Sequence, residues 1–416
     1  MRLLVVVNVY RPDLGGGVLF ADLCEGLASR GFEVEVRCAV PYYPEWRDKE
    51  GMNGLPIHET RQSGVRVRRH GLFIPNRPSS LAQRLAYEAS FFASLMRDLP
   101  EPGRFDAVMA YCPLVGGVAY GALAARSAGC PLWLNVQDLS AEAAEAAGIV
   151  RFGAAAQLFR RIQRFLFNRA GVWSTISPVM RERLIPLTRG RQPVHLLPNW
   201  LHGSLAREIE GRAPIATNAP SSRAPGAEDA PARPWRLLYS GNIGGKQDLL
   251  RFCHELARSD ADFRFDIRGG GADASEVRDW VSSSGDPRFS FSALTDEAGL
   301  ASALQAADFF VVTEKSGAGG SFIPSKLLPA FGAGTPVLGV SDPDSPLGRE
   351  LREAQAGPIL TWDSVGRVAE ILSRNSPNSP VVRAWRNAAS ARSAHYDRDH
   401  IIDQYAHLLR AMIQSA

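Results

Sequence analysis

Residues 237–250 read Leu-Leu-Tyr-Ser-Gly-Asn-Ile-Gly-Gly-Lys-Gln-Asp-Leu-Leu, the stretch that most constrains the fold of this chain. Leu237, Leu238 and Tyr239 end a buried strand. Residues 240–245 form a loop carrying Gly241, Gly244 and Gly245. Lys246 falls in the first turn of a helix that runs on through Leu249, Leu250 and Cys253. Glycine lets a backbone turn tightly and come close to a ligand. A helix N-terminus aims free N–H groups at whatever precedes it, which favours an anion. Gly241, Asn242, Gly244 and Lys246 therefore read as a phosphate cradle. The same residues also describe an ordinary strand–turn–helix corner with a solvent-facing lysine.

The N-terminal half repeats the pattern. Residues 3–7 are a fully buried strand, and 8–17 a loop with Gly15-Gly16-Gly17. A helix follows with Phe20, Leu23 and Leu27 on one face, then a strand at 34–38. A strand, glycine loop, helix and strand in this order argue for a parallel, helix-covered sheet. Such sheets bind ligands at the carboxyl ends of their strands. Gly16 and Gly17 thus either face a site or make a flexible turn. Residues 41–63, with Tyr42, Tyr43 and Trp46, show no period and read as a long functional or mobile loop. A strand is expected at 65–69. A helix over 81–99 carries Leu85, Phe92 and Met96. A strand at 105–110 and a helix at 114–128 come next. The strand at 132–136 ends at Gln137-Asp138, where the aspartate can reach a ligand or cap the next helix.

Residues 152–169 set Arg160, Arg161, Arg164 and Arg169 among Leu158, Ile162, Phe165 and Leu166. This basic amphipathic helix suits an anionic lipid surface, or simply a solvated basic face. Residues 173–176 are a strand, Ser177-Pro178 opens a helix, and 194–197 is a strand stopped by Pro198-Asn199. Residues 204–234 are rich in Ala, Pro, Ser and Gly and read as a linker, poorly ordered near its middle.

A second β/α domain begins at Trp235. It holds strands at 263–267, 289–291, 309–312 and 337–340, and helices through Val277 and Trp280 and over 300–307. Residues 268–271 read as a turn. Glu314-Lys315-Ser316-Gly317-Ala318-Gly319-Gly320 is a second glycine loop. Pro324-Ser325-Lys326-Leu327 opens a helix that ends at Gly334-Thr335-Pro336. A last helix from His400 places Ile401, Tyr405, Leu408 and Met412 on one face. Lys246 and Lys326, at two loop-to-helix transitions on the ligand side of one sheet, fit a diphosphate better than a solvated face.

A length of 416 residues allows two or three domains, and a net charge of +4 is too small to imply nucleic acid. The five cysteines at 24, 38, 112, 130 and 253 lack metal spacing, and several lie in apolar helices or strands. They read as buried thiols in a reducing compartment. The apolar run 3–7 is too short for a signal peptide, and nothing approaches the ~18 apolar residues of a membrane span. The expectation is a cytoplasmic protein with peripheral membrane contact at most.

Ser240-Gly241-Asn242-Ile243-Gly244-x-Lys246-Gln247, Pro324-Ser325-Lys326-Leu327 and Gly334-x-Pro336 resemble the family-4 glycosyltransferases of the GT-B fold. The resemblance is closest to the branch that builds bacterial exopolysaccharides such as colanic acid. Gly15-Gly16-Gly17, Val136-Gln137-Asp138 and Pro198-Asn199-Trp200 fit the same family's N-terminal pattern. The resemblance covers nearly the whole chain outside 204–234. It implies an α/β fold of two Rossmann-like domains facing across a cleft. Residues 1–200 would be the acceptor domain, 201–234 an insert and 235–385 the nucleotide-sugar domain. The helices of 386–416 would cross back to the first domain.

The resemblance also implies roles. Lys246 and Lys326 would hold the donor diphosphate with Gly241, Asn242, Gly244, Gly319, Gly320 and Ser325. Gly16 and Gly17 would lie near phosphate and acceptor. Asp138 would be a polar group near the sugar or acceptor hydroxyl, leaving Asp138, Lys246 and Lys326 as catalytic candidates. The implied reaction is transfer with retention, without metal and without a cofactor beyond the nucleotide-diphosphate-sugar co-substrate. The acceptor would be a lipid-linked saccharide in cell-surface polysaccharide synthesis. The implied contact with the inner face of the plasma membrane is through 152–169. No nucleic acid partner is implied.

Departures from the family pattern are specific. Ser321 and Pro329 stand where the common motif has glutamates, and proline cannot grip a ribose hydroxyl. Asn242 stands where many members have arginine, and Gln137 where many have histidine. Asp260-Ala261-Asp262 and Asp342-Pro343-Asp344 have the spacing of metal-using glycosyltransferases but read as turn and surface residues. A nucleotide-sugar 2-epimerase of the same fold, which needs no acceptor, and a non-catalytic assembly partner are the competing readings.

Overall fold

The computed structural model describes residues 1–78, 80–112, 114–138, 154–188, 190, 193–212, 233–317 and 325–415. The chain divides into two compact units, Met1–Trp200 with Arg398–Ala416, and Leu201–Asp397.

The first unit opens with β1 (Arg2–Val6), α1 (Gly16–Ser29), β2 (Glu33–Ala39), β3 (His58–Gln62), β4 (Val65–His70) and α2 (Leu81–Met96). It continues with β5 (Ala107–Cys112), α3 (Val115–Ala128), β6 (Leu132–Val136), α4 (Ala154–Phe167), β7 (Val172–Thr175), α5 (Pro178–Leu184) and β8 (Val194–Leu196). These strands form one sheet in the order β3-β4-β2-β1-β5-β6-β7-β8. Leu3, Leu4, Val5 and Val6 are buried to a strand with helices on both faces. Connections run leftward from β1 and rightward from β5, which under the right-handed crossover rule puts their helices on opposite faces, and α3 packs against both α2 and α4.

Two expectations need correction here. Residues 41–63 are not all loop, because β3 pairs antiparallel with β4. Its residues His-Glu-Thr-Arg-Gln lie at the sheet edge with no apolar alternation to announce them. On α2, Leu85 does not face the core and is 56% exposed. The helix packs instead through Tyr87, Phe91 and Leu95, spaced four apart.

The second unit runs through α6 (Gly203–Glu210), β9 (Trp235–Asn242), α7 (Leu249–Ala257), β10 (Phe263–Gly270), α8 (Ala274–Ser284), β11 (Phe289–Ser292) and α9 (Glu297–Ala306). It ends with β12 (Phe309–Thr313), α10 (Leu327–Gly332), β13 (Val337–Val340), α11 (Pro346–Ala354), β14 (Ile359–Leu360), α12 (Val368–Arg374) and α13 (Pro380–Ser393). Its sheet order is β11-β10-β9-β12-β13-β14, every pair parallel. The start of the expected linker is the helix α6, whose Leu205 and Ile209 bury against Ala301 of α9. Residues 213–232, where poor order was expected, lie outside the described residues. β9 and β10 run further than expected. Gly241 pairs with Gly269 and Asn242 with Gly270, so the supposed loop and turn begin as ladder. Glycine and asparagine are poor strand formers, which hid this extension.

The final helix, α14 (Arg398–Gln414), belongs to the first unit. Tyr405 stacks on Trp133 at 5.5 Å, and its hydroxyl accepts from Asn135 Nδ2 at 2.7 Å. Asp22 on α1 accepts from Arg398 Nε and from Trp200 Nε1, both at 2.8 Å. The buried face is Ile401, Ile402, Tyr405, Leu409 and Met412, with Leu409 in the place expected for Leu408. Among the described residues, no helix is long and apolar enough to cross a membrane. Cys24, Cys38, Cys112 and Cys253 are buried and in no disulfide, and burial pushes the Cys38 thiol up to about 12.

Candidate functional site

In an open parallel sheet the ligand crevice forms where neighbouring strands send their connections in opposite directions. In the second unit that point lies between β9 and β12. β9 leads through α7 to β10 on one side, and β12 leads through α10 to β13 on the other. The loops leaving these two strands are the ones that carry Lys246 and Lys326.

The end of β9 is built around Tyr239. Its ring is buried, and its hydroxyl donates to the Asn242 carbonyl at 2.6 Å. Lys326, at the N-cap position of α10, donates from Nζ to that hydroxyl at 2.8 Å, and Nζ lies 4.2 Å from the ring centroid. Gly241 is the backbone beside the ammonium. A Cβ there would stand 3.6 Å from Lys326 Nζ, and its φ of +141° strains any other residue. Burial of the ammonium lowers the Lys326 pKa to about 7. The site thus holds a cation that is expensive to keep charged without an anion.

Lys246 is not in the first turn of a helix, as the sequence suggested. α7 begins only at Leu249, because Asp248 takes a left-handed conformation with φ of +49°. Lys246 sits instead in a turn closed by Gln247 N–H on the Gly244 carbonyl at 2.9 Å and Gly244 N–H on Gln247 Oε1 at 3.0 Å. Its carbonyl accepts from Lys315 N–H at 2.8 Å, so the loops after β9 and β12 touch. Glu314, next to Lys315, buries its carboxyl there. Burial raises its pKa; Ser345 and Lys246 oppose the shift and Asp342 adds to it. Asp342 Oδ1 accepts from Ser316 Oγ at 2.8 Å and Oδ2 from Gly317 N–H at 2.7 Å, anchoring the start of the glycine loop.

The structure brings Gly241, Asn242, Gly244, Lys246 and Lys326 to one edge of this sheet. Ser325 is exposed just ahead of Lys326. Gly319 and Gly320, and with them Ser321 and Pro324, lie outside the described residues. Pro329 is inside α10, where its carbonyl accepts from Ala333 N–H at 3.0 Å. Among the described residues, no group of three or more His, Cys, Asp or Glu is placed to hold a metal.

In the first unit the equivalent switch point lies between β1 and β5. Gly16 and Gly17 are not loop but the first residues of α1, with Gly15 at the N-cap. Gly17 is required by close approach, since a Cβ would lie 3.0 Å from Asp13 Cβ and 3.2 Å from the Tyr10 carbonyl carbon. Asp13 Oδ1 accepts from the N–H groups of Tyr42 and Tyr43, both at 3.0 Å, tying the aromatic loop to the glycine loop. Asn8 Nδ2 donates to the hydroxyls of Tyr42 at 3.1 Å and Tyr87 at 3.2 Å. At the start of α3, Glu88 Oε2 accepts from Gly116 N–H at 2.9 Å, and burial raises its pKa to about 7. Asp138 follows β6, one strand beyond the switch point, and its carbonyl accepts from Cys112 Sγ at 3.3 Å. Gln137 is a structural joint. It accepts from Asn199 Nδ2 at 3.0 Å and donates to Asn135 Oδ1 at 2.8 Å.

Tyr239, Glu314 and Glu88 were missed in the sequence. Tyr239 and Glu314 sit at strand ends and look like core or loop. Glu88 reaches its partner from the middle of α2, which no local signal reveals.

The glycosyl transferase 4-like domain family matches residues 15–200. The chain is 29% identical over 341 residues to the glycosyl transferase WcaI of Escherichia coli, which its name assigns to colanic acid biosynthesis; the match covers 80% of this chain and 82% of that one. Two solved structures share the fold. Sucrose-phosphate synthase from Thermosynechococcus elongatus superposes with a TM-score of 0.69 at 14% identity, covering 100% of both chains. HepE of Anabaena, solved with UDP and glucose, gives 0.66 at 15% identity over 99% of both chains. The chain is a glycosyltransferase of the GT-B fold, and residues 15–200 are its glycosyl transferase 4-like domain.

Proposed function

We propose that this glycosyltransferase moves a sugar from a nucleotide-diphosphate-sugar to a lipid-linked saccharide during cell-surface polysaccharide synthesis, with retention at the anomeric carbon. The observation that carries the donor half is the Lys326 ammonium, enclosed beside Gly241 at the switch point of the second sheet. As the bond from the anomeric carbon to the phosphate oxygen breaks, its electron pair stays on the leaving nucleoside diphosphate. The acceptor hydroxyl forms the new bond and loses its proton. A fixed cation and backbone N–H groups at the diphosphate lower the barrier by binding charge that grows in the transition state. Lys326 supplies that cation, with Lys246 from the adjoining loop. Asp138 and the first unit's edge at Asn8, Gly16 and Gly17 serve the acceptor and sugar. The likeness to WcaI supports the polysaccharide setting. Contact with the inner face of the membrane, through α4, fits a lipid-linked acceptor.

The test is calorimetry with UDP-, GDP-, ADP- and dTDP-sugars on the wild type, Lys246→Ala and Lys326→Ala. One donor binds the wild type and neither variant. Equal affinity in all three proteins for every donor removes the proposal. Conversion of the donor alone into its epimeric nucleotide-sugar identifies the epimerase instead.

A further inference from the structure

The loop that leaves β2 runs Tyr42-Tyr43-Pro44-Glu45-Trp46, three aromatic residues in five. β2 lies beside β1 in the first sheet, and Asn8, just past β1, donates to the Tyr42 hydroxyl. The loop therefore borders the crevice at the first unit's switch point. Tyr42 turns inward and is buried. Tyr43 turns outward and is 37% exposed.

An exposed aromatic side chain on a loop is ordinarily loose, but this one is held. Tyr43 N–H donates to the buried Asp13 Oδ1 at 3.0 Å, and its carbonyl accepts from Lys49 Nζ at 2.9 Å. Lys49 also reaches Asp13 Oδ1 at 3.4 Å and Glu45 at 3.2 Å, closing the loop on itself. The rings of Tyr43 and Trp46 meet edge to face with centroids 6.1 Å apart. Trp46 packs in turn on Tyr42 at 5.5 Å and Tyr87 at 5.9 Å, and the Arg84 guanidinium lies 4.9 Å from its ring centroid. Trp46 holds this place with a φ of +52°, which a bulky residue keeps only where its surroundings impose it. An edge-to-face contact covers at most one face of the Tyr43 ring, and the residue's exposure leaves the rest to a ligand.

We propose that Tyr43, backed by Trp46, is the platform on which an uncharged pyranose ring of the acceptor saccharide stacks. One side of a pyranose presents C–H groups, apolar and weakly positive, which match the negative face of an aromatic ring. Its hydroxyls project from the rim, where the exposed Glu45 and Arg47 offer an acceptor and donors. Their opposite charges suit a neutral ring better than an acidic or an amino sugar. A protein partner fits less well, because its interface needs a broad patch and this loop exposes one large apolar side chain. The backbone that carries the ring is fixed before the sugar arrives, which spares the cost of ordering it on binding. The inference rests on the saccharide-acceptor reading above and names the residues that read the sugar.

The full-length protein, without donor, is examined by saturation-transfer NMR with the methyl glycosides of glucose, galactose, mannose and fucose. At least one binds the wild type, and the C–H protons of one ring face take up most of the saturation. Tyr43→Ala weakens that glycoside about tenfold. Tyr43→Phe keeps the ring face and binds it as the wild type does. Thermal melts at the wild-type temperature show that both variants fold. Three results overturn the inference: a wild type that binds none of the glycosides, Tyr43→Ala binding like the wild type, or Tyr43→Phe losing as much as Tyr43→Ala. A wild type that takes a glycoside but neither UDP nor GDP fails the donor reading and leaves this one standing.

Discussion

Lys326 rests its ammonium on the face of Tyr239, 4.2 Å from the ring centroid, and donates to the same residue's hydroxyl at 2.8 Å. The hydroxyl gives its own proton to the Asn242 carbonyl, so a lone pair is turned toward the lysine. Ring and hydroxyl together fix where the positive charge sits. Tyr239→Phe keeps the ring and deletes a hydrogen bond to a charged group, of a kind that contributes about 1.5–3 kcal/mol. Nucleoside diphosphate affinity measured by calorimetry should fall about tenfold or more, and Lys326→Ala should cost more. Wild-type affinity in Tyr239→Phe would show that the pair does not position the cation.

The lowered Lys326 pKa gives donor binding a pH signature. The free protein holds this amine near half-protonation at about pH 7, and a diphosphate binds the protonated form. Affinity should therefore fall as pH rises above that value, by up to ~10-fold per pH unit. Lys326→Arg stays charged throughout and should flatten the profile. Titrations from pH 6 to 9 with both proteins decide the matter.

The same shift makes a statement about stability. The unfolded chain keeps the Lys326 proton up to about 10.5, while the folded protein sheds it from about 7. Stability contributed by this group rises with pH across that window and carries its full penalty below it. Lys326→Met removes the penalty, and thermal melts at neutral pH should show a gain of roughly 1–2 kcal/mol. Donor binding is lost in the same protein.

Glu88 behaves in the opposite sense. Its carboxyl loses a proton near 4.5 when unfolded and near 7 in the fold. Between those values the folded protein holds a proton that the unfolded chain has released, so stability falls as pH rises through the window. Glu88→Gln keeps an acceptor for the Gly116 N–H and cannot ionise. Its melting temperature should exceed that of the wild type above pH 7, and the difference should vanish toward pH 4.

Much of this layout was legible in the sequence because the physics there is local. Residues 3–7 or 309–312 can be little but buried strand, and a lysine just after a glycine loop restricts the chemistry that the loop can serve. Ladder extension was not legible, since Gly241 and Asn242 pair only because Gly269 and Gly270 lie beside them. The rotation of α2 was hidden for a related reason. Ala82, Ala86, Ala89 and Ala93 are apolar enough that the exposed face and the buried one look alike on paper. Tyr239 and Lys326 are 87 positions apart, and only the tertiary fold makes them partners.

The hydrogen bond from Asn135 to Tyr405 and the stack of Trp133 on the same ring have a bearing on biosynthesis. The first core is begun by β1 and finished by α14, a seventeen-residue helix that follows the whole second unit in the chain. During translation the second unit can emerge and close while the first still lacks a wall. At about 5–20 residues per second, the wait for that wall is on the order of ten seconds or more. A stop codon ahead of α14 would thus undo packing laid down hundreds of codons earlier, leaving Trp133 and Asn135 open to whatever chaperone or sticky surface reaches them first.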